Sequence, residues 1–259
     1  MTITNDLCRI LHVALTAKFL LVFPGYLLGH DFIVKPSRTM AAEGESLTTA
    51  VLLTELYIRP DRVLPESSVE LHVVAGGKKT AIPLKASEEA MALLGSVKAP
   101  TSRTFILSGH RLASVRSGAN RKGTSQPGGG AAGPVKSENF SKALINVSAR
   151  DNGYAALSGD RLEIVPVTNP ALVKAGGEMA VRILFDGRPV KTNLLATYDG
   201  FSAEPHKVAH QLESGADGTA KFSLNSPGLW MVRAAHSLEE PADTHSRYSA
   251  TAVLIFSVQ

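Results

Sequence analysis

Cysteine is almost absent from this sequence. Cys8 is the only one among 259 residues, so the chain can form neither an intrachain disulfide nor a cysteine-based metal centre. A fold without disulfides depends on its hydrophobic core, and a chain of this length with 44% apolar residues can build one. We therefore expect a globular protein of one large domain or two domains of ordinary size.

An excess of either charge is also lacking. The 27 basic and 23 acidic side chains leave a net charge of only +4, and their scatter along the chain argues against the basic face of a nucleic-acid-binding protein. Catalytic motifs are missing as well, because the sequence contains no GxSxG elbow and no HExxH motif. These absences predict a protein that binds, neither an enzyme nor a partner of nucleic acid.

No hydrophobic run is long enough to cross a bilayer comfortably. The strongest one lies within residues 1–29, where the run from Phe19 to Phe23 is ended by Pro24. This pattern is typical of a secretory signal peptide that is cleaved; an uncleaved membrane anchor and a mis-assigned start are the alternatives. Cleavage after Gly29 would deliver the protein to the periplasm with His30 as its first residue.

Alternation of apolar and polar residues dominates residues 30–259. Val181, Ile183 and Phe185 alternate with other residues up to Asp186-Gly187, a dipeptide that favours a β-hairpin turn. Turn residues recur at the spacing of a β-sandwich. The pattern predicts an all-β fold with two sandwich-like domains.

Two further features of the pattern concern single segments. Trp230, the only tryptophan, follows a Pro-Gly turn and alternates with Val232, which predicts a largely buried ring. The one segment predicted to be helical is SEEAMALLG, from Ser87 to Gly95, with Ser87 as its N-cap and two glutamates in the first turn.

The sequence becomes Gly-rich and basic between residues 114 and 137. Arg116, Arg121, Lys122 and Lys136 occur there with no acidic residue between them. This composition is typical of a solvated loop inserted between strands. The alternative interpretation is a peripheral contact with an anionic surface, such as the phospholipid of a membrane or a polysaccharide.

Several stretches of the chain resemble the DUF4198 family of exported bacterial proteins. They are HDFIVKPS, ELYIRPDRVLPESSVELHVV, FSKALINV, GDRLEIVPVTNPALVKAGGEMAVRILFDGRPV and SPGLWMVRAAH. The family is grouped with nickel and cobalt uptake components but implies no established activity. Ile33 departs from its pattern, because many members carry Trp at that place.

The resemblance implies a division of the chain into two domains. Residues 30–160 would form an N-terminal β-sandwich that carries the Gly-rich basic loop. Residues 161–259 would form an Ig-like domain of the transthyretin or carboxypeptidase-regulatory kind.

His30 is the first candidate metal ligand. As the first residue of a cleaved chain, it could chelate a Ni, Co, Cu or Zn ion through its free α-amine and its imidazole Nδ1, donors that suit these metals. Asp31 could add an oxygen ligand, or it could orient another ligand by a hydrogen bond without contacting the metal itself. Alternatively, the His-Asp pair merely begins the first strand.

Two nitrogens make a weak site, so a partner ligand is needed. His236, near the end of the strand that holds Trp230, and His110 are the candidates that we favour. His206 and His210 have the spacing that pairs ligands on a helix, but Pro205 and the surrounding strands argue against a helix there.

These observations favour an exported, periplasmic metal-binding or metal-delivery module that supports nickel, cobalt or copper uptake. Its partner would be a metal-uptake transporter of the inner or outer membrane. The alternative is a non-catalytic envelope protein whose β-domains contact carbohydrate or another envelope component.

Overall fold

The computed structural model describes residues 30–116, 134–240 and 247–259. Within these ranges the chain forms seventeen strands, three short 3₁₀ turns and no α-helix, which confirms the predicted all-β fold. None of the described segments is a helix that could span a membrane. The signal peptide predicted for residues 1–29 lies outside the described residues.

The strands form three sheets. The N-terminal sheet contains β1 (Asp31–Pro36), β2 (Ser46–Leu56), β3 (Arg59–Pro60), β6 (Leu84–Ser87) and β7 (Ala92–Lys98). The middle sheet contains β4 (Val69–Ala75), β5 (Lys78–Ala81), β8 (Phe105–Arg116), β9 (Val135–Ile145), β13 (Asn193–Tyr198), β14 (His210–Glu213), β16 (Gly228–Glu239) and β17 (Arg247–Val258). The C-terminal sheet contains β10 (Leu162–Pro166), β11 (Glu178–Phe185), β12 (Arg188–Pro189) and β15 (Thr219–Ser223).

The middle sheet joins the two halves of the chain. Its strand order is β14-β13-β16-β17-β9-β8-β4-β5. Neighbouring strands are antiparallel except β9 and β17, which run parallel and pair Val135 with Arg247 at one end and Ala143 with Ile255 at the other. Strands from both sides of residue 160 share this one sheet. The division of the chain into two domains near that residue stays a prediction.

The three sheets stack as layers with a hydrophobic core on each face of the middle sheet. Along β17, Leu254 and Phe256 face the core under the C-terminal sheet, whereas Val253 and Ile255 face the core under the N-terminal sheet. A strand that is buried on both faces needs apolar residues at consecutive positions, which accounts for the run AVLIF in β17.

The two outer sheets are offset from each other. The N-terminal core takes Met231 from β16 but no residue from β13 or β14, whereas the C-terminal core takes Leu194 and Ala196 from β13. Part of the middle sheet is therefore left uncovered beside the N-terminal sheet.

The strand and turn predictions for the C-terminal half are confirmed. Val181 and Ile183 on β11 are fully buried, and Asp186 and Gly187 connect β11 to β12 with φ of 49° and 74°. Positive φ at both positions is the backbone of a type I′ hairpin turn. Trp230 is also fully buried, as predicted, and its Nε1 donates a hydrogen bond to the Ser226 carbonyl at 2.9 Å.

The helix predicted from Ser87 to Gly95 is wrong. This segment is the hairpin that joins β6 to β7, with Ser87 paired to Ala92. The Ser87 hydroxyl accepts a hydrogen bond from the backbone nitrogen of Ala90 at 3.2 Å, the bond expected of an N-cap, but here it closes a four-residue turn. Ala92 and Leu93 are buried in the N-terminal core, so tertiary packing outweighed the weak helical preference of the segment.

The Gly-rich basic segment lies between β8 and β9, whose antiparallel pairing extends to Arg116 and Val135. The described ends of the segment predicted as a loop, residues 114–116 and 135–137, are paired strand residues of β8 and β9. Residues 117–133 lie outside the described residues, and contact of this loop with an anionic surface stays a prediction.

Candidate metal site

Three potential metal ligands converge at one end of the N-terminal sheet. In the register of β1 and β2, Asp31 lies opposite Thr54, so His30 falls beside Glu55. On the other side of β2, the short strand β3 returns the chain so that the Asp61 backbone nitrogen donates to the Leu53 carbonyl. Side chains on neighbouring strands lie within reach of one another, and this pairing brings His30, Glu55 and Asp61 together.

The imidazole of His30 is the centre of this group. Its Nε2 lies 2.8 Å from Asp61 Oδ2 and 3.3 Å from Glu55 Oε1. The guanidinium of Arg62 approaches the same nitrogen, with Nη2 at 2.9 Å. One ring nitrogen cannot donate to a carboxylate and accept from a guanidinium at once, so Arg62 and the carboxylates compete for it.

The group has the composition of a divalent metal site. The ligand atoms of His30, Glu55 and Asp61 all lie within 4.8 Å of one another, and in the described ranges no other three His, Cys, Asp or Glu side chains do so. One imidazole nitrogen with carboxylate oxygens suits first-row ions better than Ca²⁺. Glu55 and Asp61 are exposed, so an ion can reach the group from solvent.

Asp31, the second predicted ligand, has a different partner. Its Oδ1 lies 2.6 Å from Arg233 Nε on β16, and both side chains are largely buried, at 19% and 7% exposure. Burial raises the pKa of the Asp31 carboxyl, and the charges of Arg233 and His206 lower it. The ion pair joins β1 to β16 and directs the Asp31 carboxylate to Arg233.

A cleft of about 390 Å³ lies beside the group, over the uncovered part of the middle sheet. Leu195, Thr197 and Met231 contribute to its lining from β13 and β16. Asp31 and Glu55 line it from the N-terminal sheet. Glu55 therefore belongs both to the cleft and to the group around His30.

The sequence profile of the family described as "Domain of unknown function (DUF4198)" matches residues 27–238. The chain belongs to the DUF4198 family. The match includes every residue of the group around His30 and every residue that lines the cleft. No curated protein matches the chain.

Solved structures with similar folds are only distantly similar to this DUF4198 protein. The D0-D1 domain of intimin is 12% identical, with 88% of this chain and 98% of that chain covered and a TM-score of 0.23. An α2-macroglobulin from Escherichia coli is 10% identical, with 88% and 16% covered and a TM-score of 0.26. A bacterial ice-binding adhesin is 12% identical, with 90% and 65% covered and a TM-score of 0.26. Likenesses at these TM-scores carry no argument about function.

The structure does not bring His110 or His236 into the group around His30. His110 stacks on Phe140 with ring centroids 4.7 Å apart, and His236 contacts Phe185 at 4.8 Å. Burial lowers the pKa of both imidazoles. Both rings therefore pack against aromatic side chains on the C-terminal side of the middle sheet, and their role as ligands stays a prediction.

Sequence reasoning missed Glu55 and Asp61. Both belong to the stretch ELYIRPDR, which in this DUF4198 protein contains the end of β2, a two-residue turn, β3 and the two residues after it. Two carboxylates on either side of a tight turn are a sequence pattern that could have indicated a metal site. Their convergence with His30, however, depends on the pairing of β1 with β2.

Proposed function

We propose that this DUF4198 protein is an exported metal-binding protein that holds a Ni, Co or Cu ion between His30, Glu55 and Asp61. The observation that supports the proposal is the convergence of one imidazole and two carboxylates at the ends of three neighbouring strands. The exposure of both carboxylates favours a site that captures and releases an ion. The protein would pass that ion to a metal-uptake transporter.

Two binding geometries are compatible with this arrangement. In the first, the ion is bound by His30 Nε2 and the carboxylates of Glu55 and Asp61. In the second, cleavage after Gly29 makes His30 the first residue, and its α-amine and Nδ1 chelate the ion. Asp61 then accepts a hydrogen bond from Nε2–H and orients the ring, as outer-sphere carboxylates do for histidine ligands.

Titration calorimetry on the processed protein tests the proposal. The protein is exported with its own leader and purified without an affinity tag, and mass spectrometry checks that His30 is its first residue. Ni²⁺ and Cu²⁺ are then titrated into the wild type and the variants Asp61→Asn and Glu55→Gln. Glu89→Gln is the matched control, because Glu89 is an exposed carboxylate in the β6–β7 turn.

In the first geometry, Asp61→Asn and Glu55→Gln each weaken binding by a factor of about ten or more, and Glu89→Gln has no effect. Adding Gly-Ser before His30 separates the two geometries, because it converts the α-amine into an amide. The extension abolishes binding only in the second geometry. Wild-type protein that binds neither ion would overturn the proposal and leave the envelope-contact function in its place.

A further inference from the structure

A second imidazole lies close to this site on a different part of the chain. His206 belongs to the loop of residues 199–209 between β13 and β14, and it lines the same cleft as Asp31 and Glu55. His206 therefore lines the cleft from the loop, whereas Asp31 and Glu55 line it from the N-terminal sheet.

The backbone of this loop is strained at His206. Its φ is +62°, the left-handed region that a residue with a Cβ adopts at a cost. His206 is exposed and has no hydrogen bond from its side chain among the described residues. His206 is the third residue of a turn that is closed by the hydrogen bond from the Lys207 backbone nitrogen to the Glu204 carbonyl, so its side chain stands exposed at the tip of the loop.

The loop is held mainly by bonds within itself. Glu204 accepts a backbone hydrogen bond from Lys207 and forms an ion pair with the Lys207 ammonium at 2.9 Å. The backbone nitrogen of Glu204 donates to the Ser202 hydroxyl at 3.0 Å. The start of the loop is attached to the middle sheet, because the Asp199 nitrogen donates to the Leu229 carbonyl on β16 and the Phe201 ring packs on Tyr198 of β13. The part that can move towards the cleft is therefore the tip, residues 202–207, whose bonds described above stay within the loop.

We propose that His206 is a further ligand of the ion held by His30, Glu55 and Asp61, brought to it when the loop of residues 199–209 closes over the cleft. This inference rests on the proposed function. Three protein ligands leave open positions on a first-row ion, and a second imidazole is a donor that Ni, Co and Cu prefer to water or carboxylate oxygen. Glu55 connects the two parts of the proposed site, since it belongs both to the cleft that His206 lines and to the group around His30.

Cleavage by trypsin after Lys207 reports directly on the loop, because Lys207 is exposed next to His206. The processed protein is digested with and without Ni²⁺ and, separately, Cu²⁺, and cleavage after the exposed Lys174 serves as the internal reference. The test variant is His206→Asn, since Asn tolerates a left-handed backbone but lacks the imidazole. The control variant is His72→Ala, which removes an imidazole from β4, outside the cleft.

We expect metal to suppress cleavage after Lys207 in the wild type and in His72→Ala, while cleavage after Lys174 continues. In His206→Asn the protection is lost, and affinity falls by a factor of about ten or more. Unchanged affinity and protection in His206→Asn would overturn the role of His206 while leaving the proposed function intact. Failure of the wild type to bind metal by calorimetry would instead overturn the proposed function, and this inference with it.

Discussion

Lys142 on β9 and Glu163 on β10 form an ion pair, with 2.8 Å between Nζ and Oε1 and both side chains at most 4% exposed. The pair connects the middle sheet to the C-terminal sheet. The same Glu163 oxygen also accepts a hydrogen bond from the Ser158 backbone nitrogen at 2.6 Å. Burial lowers the pKa of Lys142, and the charge of Glu163 raises it.

Removing the charge of one partner of this ion pair should destabilise the folded protein much more than replacing both partners. Glu163→Gln leaves a buried ammonium without its counter-charge, which should lower the free energy of unfolding by about 3–5 kcal/mol. The double variant Lys142→Met/Glu163→Leu removes both charges and should recover most of that loss. Urea unfolding measures both variants, and a double variant as unstable as Glu163→Gln would contradict the prediction.

Asp160 should make stability depend on pH in mildly acidic solution. Burial and the charge of Glu163 raise the pKa of its carboxyl to about 6. Because the folded state holds this proton more tightly, the stabilisation is complete below the unfolded-state pKa and is lost as pH rises through 6. Relative to Asp160→Asn, the wild type should lose on the order of 2 kcal/mol between pH 4 and pH 7. Parallel pH profiles of the two proteins in urea unfolding would contradict this.

Trp230 provides a test of the C-terminal core. Replacing this fully buried ring by Ala should lower the free energy of unfolding by about 3–5 kcal/mol. Trp230→Phe keeps most of the volume and should cost clearly less. Since Trp230 is the only tryptophan, native fluorescence reports on it alone, and an emission maximum typical of an exposed indole would contradict the packing.

Arg62 should oppose metal binding. Its guanidinium contacts His30 Nε2, and its Nε lies 3.5 Å from Asp61 Oδ1, so an ion bound to these ligands must displace a like charge. The side chain is 59% exposed and can move aside. Arg62→Ala should therefore raise Ni²⁺ affinity about fivefold, as expected for removing one solvent-screened charge. Arg188→Ala is the control, because Arg188 is exposed on β12, outside the cleft, and weaker binding by Arg62→Ala in calorimetry would count against the site.

Local sequence patterns predicted those parts of the fold that depend on neighbouring residues. The alternation along β11 and the turn at Asp186-Gly187 are set within a few positions, and both are confirmed. The segment from Ser87 to Gly95 shows where local patterns fail to predict structure, because its capping residue and first-turn glutamates fit a helix or a turn equally well. The burial of Ala92 and Leu93 decided between them, and burial depends on distant strands.

The candidate site could be predicted only in part for the same reason. His30 was recognisable from its place at the expected cleavage site, whereas the roles of Glu55 and Asp61 depend on strand pairing. Asp31 looked like a natural partner of His30 in sequence, but neighbouring residues in a strand point to opposite faces. Its carboxylate contacts Arg233, a residue that no local pattern connects to it.

The position of β17 also determines the order in which this protein can fold. β17 follows every other described strand in the chain, yet it lies between β16 and β9 and supplies residues to both cores. Until it is in place, β9 and β16 each present an unpaired edge that another chain could join. Neither half can complete its core independently, and closing so long a loop is slow. Export in an unfolded form, which the proposed function would allow, is compatible with a core that closes only when this last strand is in place.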